Sequence, residues 1–295
     1  MVGTALHFSV GKHTPDGRTL ATGSDDTTLR LWNTSTGQQE AVLSGNDGAV
    51  VAVSFAHSGK FLIGGYGDGV IRLWDVSSWK ERPGLPHRNG NVRRVAISPD
   101  DRTVAVVSNT QGVELWDLET RTLRQELPGH HGTILAIAFA SDGKTLATGD
   151  ARGHIRLWNP ATGTERARFK GAPLGLRALT FSPDTRTLAS VGSGDKDVQL
   201  WNAASCQKIA ALPGREQGLL GLAFSPDGAL LAAGTRTGDV TIWDVRSARA
   251  VATLRAHEGS VWSLAFSPDG GTLATVGEDR VGRLWRLGDL KASYP

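Results

Sequence analysis

Seven tryptophans recur along the chain at Trp32, Trp74, Trp116, Trp158, Trp201, Trp243 and Trp285, at steps of 42, 42, 42, 43, 42 and 42 residues. A domain with a single core has no reason to place its largest side chain at a constant interval. A series of equivalent supersecondary units does. The repeat occupies nearly all of the 295 residues and constrains the fold more tightly than any other feature of the chain.

The residues around each tryptophan define the unit. Ile155 to Trp158 reads I-R-L-W and Val240 to Trp243 reads V-T-I-W, alternating apolar and polar positions with the period of a half-buried strand. A second run lies about ten residues upstream, as in Leu146-Ala147-Thr148 and Leu273-Ala274-Thr275. A third lies further upstream, as in Ile134 to Phe139 and Val261 to Phe266, and a fourth follows the tryptophan, as in Gln38 to Leu43. Between the third and second runs stand Ser225-Pro226-Asp227-Gly228, Ser267-Pro268-Asp269-Gly270 and the shorter Ser98-Pro99-Asp100 and Ser182-Pro183-Asp184. Proline fixes the first corner of such a turn and glycine or aspartate suits the last. Each unit is therefore predicted to be a sheet of four antiparallel strands. One such sheet cannot bury both of its own faces, and seven satisfy one another by closing into a ring. The predicted fold is all-β, a seven-bladed β-propeller of four-stranded antiparallel blades around a central channel.

These motifs resemble the WD40 repeat family, in its bacterial form with regular repeats, over essentially residues 1–295. The naming dipeptide stands at Trp74-Asp75, Trp116-Asp117 and Trp243-Asp244; it becomes Trp-Asn at Trp32, Trp158 and Trp201, and Trp285-Arg286 in the last repeat. The resemblance implies a hydrogen-bonded chain from a histidine through a Ser or Thr and an Asp to the indole N–H. By position only the last repeat holds all four members: His257, Thr275, Asp279 and Trp285. The first keeps Thr22, Asp26 and Trp32, and the fifth keeps Ser190, Asp195 and Trp201. The fourth keeps His130, Thr148 and Trp158, with Arg152 where the acid belongs and Asp150 two residues away. Gly64, Val106 and Ala233 replace the hydroxyl in repeats two, three and six, so apolar packing is expected to hold those tryptophans. Arg30, Arg72, Arg156 and Arg283, each two residues before a repeated tryptophan, are expected to pack or pair inside the scaffold.

The ends leave two readings open. Either Val2 to Leu6 closes blade seven, with backbone pairing over residues 2 to 8 and an irregular Ser9 to Thr14, or the single propeller domain over 1–295 is one piece of a longer multidomain protein. Composition narrows the setting. The balance of 32 basic and 29 acidic side chains, net +3, contains no charge block, so a nucleic-acid partner is not expected. One cysteine, Cys206, excludes an internal disulfide and suits a reducing, cytoplasmic compartment. Without an apolar stretch near twenty residues, no membrane partner is expected.

Motifs for chemistry are weak. The eight histidines, among them the adjacent His130-His131, fall in separate turns without the spacing of a zinc site, so neither a metal nor a cofactor is expected. Gly64-Gly65-Tyr66-Gly67-Asp68-Gly69 lacks the helix and the lysine-serine pair of a phosphate cradle. The serines of the Ser-Pro-Asp turns serve backbone geometry, and no nucleophile is set between strand and helix. The chain is not read as an enzyme.

The resemblance places partner docking at the channel end that gathers the turns before the first strand and between the second and third. The residues expected to face that end are Arg93, Arg152, Arg177 and Arg236 from blades three to six, with Trp262, Glu278 and Asp25 from blades seven and one. The expected function is a noncatalytic scaffold or docking module, of the kind found in bacterial signalling and effector proteins. Its protein or peptide partner would lay an acidic segment over the arginines and an apolar side chain on Trp262. Trp79, near the opposite end in the turn between the third and fourth strands, is expected to be an exposed anchor of lower rank. The alternative is a small-ligand-binding or enzymatic propeller using the channel mouth.

Overall fold

The computed structural model describes residues 8–44, 48–87, 90–109, 112–214 and 218–288. Their strands form seven separate antiparallel sheets, each with its strands in sequence order. The first sheet is β1 (Phe8–His13), β2 (Thr19–Ser24), β3 (Leu29–Asn33) and β4 (Gln39–Leu43). Five further sheets also have four strands; the last, β25 (Val261–Phe266), β26 (Thr272–Gly277) and β27 (Gly282–Arg286), has three among the described residues. The first strands of the other sheets are β5 (Val50–Phe55), β9 (Val92–Ile97), β13 (Ile134–Phe139), β17 (Leu176–Phe181) and β21 (Leu219–Phe224). Each contacts the first strand of the next sheet, and β1 contacts both β5 and β25, so the ring closes as a seven-bladed propeller.

Burial between blades explains the tryptophan rhythm. Every repeated tryptophan lies on the third strand of its blade opposite an apolar residue of the second, as Trp32 pairs with Leu20 and Trp243 with Leu231. The apolar layers join neighbouring blades: Ile71 and Leu73 pack with Val104 and Trp116. Leu20 and Trp32 of blade one likewise pack with Ala274 and Val276 of blade seven. Each sheet is thus covered on both faces, which no isolated blade could achieve.

The Ser-Pro-Asp turns work as short side-chain locks. Ser225 Oγ donates to Asp227 Oδ1 at 2.6 Å while Leu230 N donates back to Ser225 Oγ at 2.8 Å. The fourth residue of the turn has positive φ, glycine at 17, 59, 143, 228 and 270 but Asp101 and Thr185 in blades three and five. Asp101 has a second use there: its carboxylate accepts from His57 N at 2.7 Å and Ser58 N at 2.8 Å, tying blade three to blade two.

Several expectations change. The stretch from Ser9 is not irregular, because Phe8–His13 pairs with β2 in blade one, Phe8 opposite Ser24 and His13 opposite Leu20. Pairing of Val2 to Leu6 with blade seven lies outside the described residues. Trp79 is half-buried, packed against the apolar layer between blades one and two, and so is not an exposed anchor.

Candidate functional site

A β-bulge at the start of every inner strand builds one end of the channel. The ladder jumps from Phe8 to Val10, Val50 to Ala52, Ile134 to Ala136, Leu176 to Ala178, Leu219 to Gly221 and Val261 to Ser263. In blade three Ser108 opposes Val92 and Val107 opposes Arg94, so Arg93 is the extra residue. A bulged residue is released from the ladder and its side chain re-aimed. Arg93, Arg177 and Trp262 all occupy this position, and Trp262 is left 45 % exposed. The turns between second and third strands stand at the same end, bonded to the segments that lead into the inner strands. Ala151 N donates to Thr133 O, Arg236 N to Gly218 O and Glu278 N to Ser260 O. Arg152, Arg236, Glu278 and Asp25 are exposed on these turns.

The seven residues do not form one pocket. Arg177 and Trp262 line a channel cavity of about 410 Å³, whereas Arg93, Arg152, Arg236, Glu278 and Asp25 do not. Some are already engaged: Arg93 Nε donates to Asn109 Oδ1 and Arg177 Nε to Ser193 Oγ, each at 2.7 Å. Glu278 Oε2 accepts from Ser260 N at 3.0 Å. Two cations absent from the sequence-based set lie inside the same cavity, Lys12 on β1 and Arg94 on β9. The signal for Arg94 was a second arginine in the otherwise apolar run Val92-Arg93-Arg94-Val95-Ala96-Ile97. Lys12 shows nothing comparable, because a lone lysine in a strand is normally a solvated one.

Around the channel the repeated indoles find their acceptors. In blade seven Trp285 Nε1 donates to Thr275 Oγ1 at 3.0 Å. The indole can only donate, so the Thr275 hydroxyl is left to donate to His257 Nε2, 2.8 Å away, and His257 Nδ1–H to donate to Asp279 Oδ1 at 2.8 Å. Burial pushes the His257 imidazole below its usual value against the opposing pull of Asp279. Blade four carries the same chain through Asp150: Trp158 to Thr148 at 2.8 Å, Thr148 to His130 at 2.7 Å and His130 to Asp150 at 2.9 Å. Arg152, in the expected acid position, is not part of it, so the last repeat is not alone in having four members.

Two tryptophans expected to rely on apolar packing are hydrogen-bonded instead. Trp116 Nε1 donates to Glu114 Oε2 at 2.8 Å, with His87 Nε2 3.5 Å from the same oxygen. Trp243 Nε1 donates to the Pro213 carbonyl at 2.9 Å. Trp32 and Trp201 donate to Thr22 and Ser190 at 2.8 Å, while Asp195 caps Gly192 N at 2.7 Å. In blade two a Cβ on Gly64 would stand 2.9 Å from the Trp74 ring, which instead packs on Tyr66 with centroids 6.2 Å apart. Arg30, Arg72 and Arg283 meet Asp26, Glu81 and Asp279 at 2.9, 2.7 and 2.6 Å, and Arg156 meets Glu165.

No group of three or more His, Cys, Asp or Glu among the described residues could hold a metal ion. No helix among them is long and apolar enough to cross a membrane.

Fold and site together define a seven-bladed propeller with a bulge-lined channel mouth. The family model described as the IFT122 first beta-propeller matches residues 91–293, more than half of the chain, and the protein belongs to that family. The WD domain, G-beta repeat, matches residues 6–33 and 37–75. No curated protein matches the chain. These matches correct the expectation of a bacterial WD40 protein with regular repeats: the WD match covers only the first part of the chain, and the rest falls to the IFT122 propeller model. The irregular indole acceptors of blades three and six, Glu114 and the Pro213 carbonyl, lie within residues 91–293.

Proposed function

We propose that this propeller is a noncatalytic docking module that takes a protein or peptide segment on its bulge-lined face. The observation that carries the reading is Trp262, a large indole 45 % exposed at the mouth of a channel that Arg177 also lines. An exposed aromatic beside arginines offers the two parts of a strong peptide contact, an apolar anchor and a rigid fork for carboxylates. Arg93, Arg152 and Arg236 extend the basic arc outward, and Glu278 and Asp25 set its acidic limit, orienting an acidic segment over blades three to six. Membership of a propeller family and the absence of a three-residue metal cluster among the described residues favour docking over catalysis. A cytoplasmic setting suits the lone Cys206, half-buried and with its thiol pushed up by burial.

Fluorescence anisotropy with a labelled peptide of clustered glutamates around one leucine tests this reading. The wild type should bind it more tightly than a lysine counterpart, and Trp262→Ala and Arg236→Glu should each weaken binding about tenfold with unchanged circular dichroism. Equal affinity for both peptides, or for wild type and variants, overturns the assignment.

A further inference from the structure

We propose that the interior of the channel is a binding site for a compact, multiply charged oxyanion of the phosphate class. Three cations from alternate blades enter it: Lys12 from blade one, Arg94 from blade three and Arg177 from blade five. The described residues lining the cavity include no aspartate or glutamate, and the adjoining cavity toward the other end, which Lys12 also lines, has none either. None of the three cations is in an ion pair among the described residues. Arg94 spends one bond on the Arg93 carbonyl at 2.7 Å and Arg177 one on Ser193, which leaves most of both forks unused. Hydroxyls of Ser54, Thr180 and Ser263 line the same space and add neutral donors.

The cations repel one another in a confined place. Lys12 and Arg94 are both exposed to the water of the channel, and the blades ringed around them still hold the Lys12 ammonium below its ordinary value. Arg94 is lowered first by enclosure and then by the charges of Arg93 and Arg177. Next to Lys12, His13 is held neutral: burial, with Lys12 adding to it, pushes its imidazole down to about 4 against a smaller pull from Asp269. Neither of its ring nitrogens has a hydrogen-bond partner among the described residues. Like charges enclosed without a counter-charge destabilise a fold unless something compensates them. Every other buried or half-buried arginine among the described residues meets a carboxylate, as Arg30, Arg72, Arg156 and Arg283 do. In the channel the missing negative charge comes from a ligand. A cavity of about 410 Å³ admits a small molecule and suits no folded segment. Arginine forks select planar or tetrahedral oxyanions over halide.

This inference stands apart from peptide docking, because Lys12 and Arg94 take no part in docking whereas Arg236, which does, lies outside the cavity lining. Isothermal titration with inorganic pyrophosphate, at fixed ionic strength in chloride buffer, gives the test. Saturable binding to one site is expected, weakened about tenfold in Lys12→Gln and in Arg94→Gln, retained in Lys12→Arg and unchanged in Arg236→Gln, which lies outside the cavity lining. Thermal melting supplies a readout that does not need binding. Without anion, Lys12→Gln should melt above the wild type because one repulsive charge is gone, and pyrophosphate should raise the melting temperature of the wild type more than that of the variant. Absence of saturable heat, equal affinity across the charge variants, or binding confined to a phosphoserine peptide with none for pyrophosphate overturns the proposal.

Discussion

Blades six and seven solve the same problem with different chemistry. Each buries an indole whose N–H must be paired, since a buried unsatisfied donor costs about 1–3 kcal/mol. Blade seven answers with a relay of side chains, Trp285 to Thr275 to His257 to Asp279, and Arg283 closes it at 2.6 Å from Asp279. Blade six has Ala233 in the hydroxyl position and bonds Trp243 to the backbone of Pro213. Trp243 is fully buried, whereas Trp285 is only partly so. Blade four sides with seven, and blade three finds a third solution in Glu114. Six of the seven repeated indoles thus have an acceptor among the described residues, supplied by several residue types at several places.

The largest expected effect separates the two blades by packing. Trp243→Ala should cost about 3–5 kcal/mol in urea denaturation, as removal of a fully buried aromatic does, and Trp285→Ala distinctly less. Equal losses would mean that burial does not distinguish them.

A smaller effect probes the relay. His257→Ala and His130→Ala should each cost about 1–3 kcal/mol, because the paired aspartate and threonine are left half-satisfied. The relay also makes stability depend on pH. Burial lowers both histidines in the folded state, so the unfolded chain takes up protons first and stability falls as pH drops below about 6.5. Asp150 and Asp279 are lowered as well, so their contribution is present above about pH 4 and is lost on further acidification through their folded values. Melting temperature should therefore decline between pH 7 and 5 in the wild type and decline less in the double variant. Parallel curves would show that the relay carries no proton linkage.

The smallest effect lies in the backbone. Five residues after the tryptophan, blades four and six both need positive φ, 68° at Gly163 and 55° at Ala248. Ala248→Gly should gain about 0.5–1 kcal/mol by relieving the left-handed strain, as read by chemical denaturation. A loss would place the entropy of the unfolded glycine chain above that strain.

Much of this was legible before any coordinates. The tryptophan interval, the Ser-Pro-Asp turns and the alternating runs required repeated four-stranded sheets, and only a ring buries them all. Arg93, Arg177 and Trp262 share one place in the repeat, and the bulge explains it, since a residue outside the ladder is free to turn toward the mouth. Indole acceptors were read less well. Glu114, Asp150 and the Pro213 carbonyl replace the expected partners, and a distance across strands does not follow from a position in a motif.

By itself the chain's periodicity determined the architecture, because apolar faces recurring every 42 residues have one economical way to be covered. Tertiary structure alone decided which side chains share the channel. Lys12, Arg94 and Arg177 are far apart in sequence, and only closure of the ring brings their charges together. Electrostatic energy depends on separation and enclosure in space, and neither is written in the order of residues.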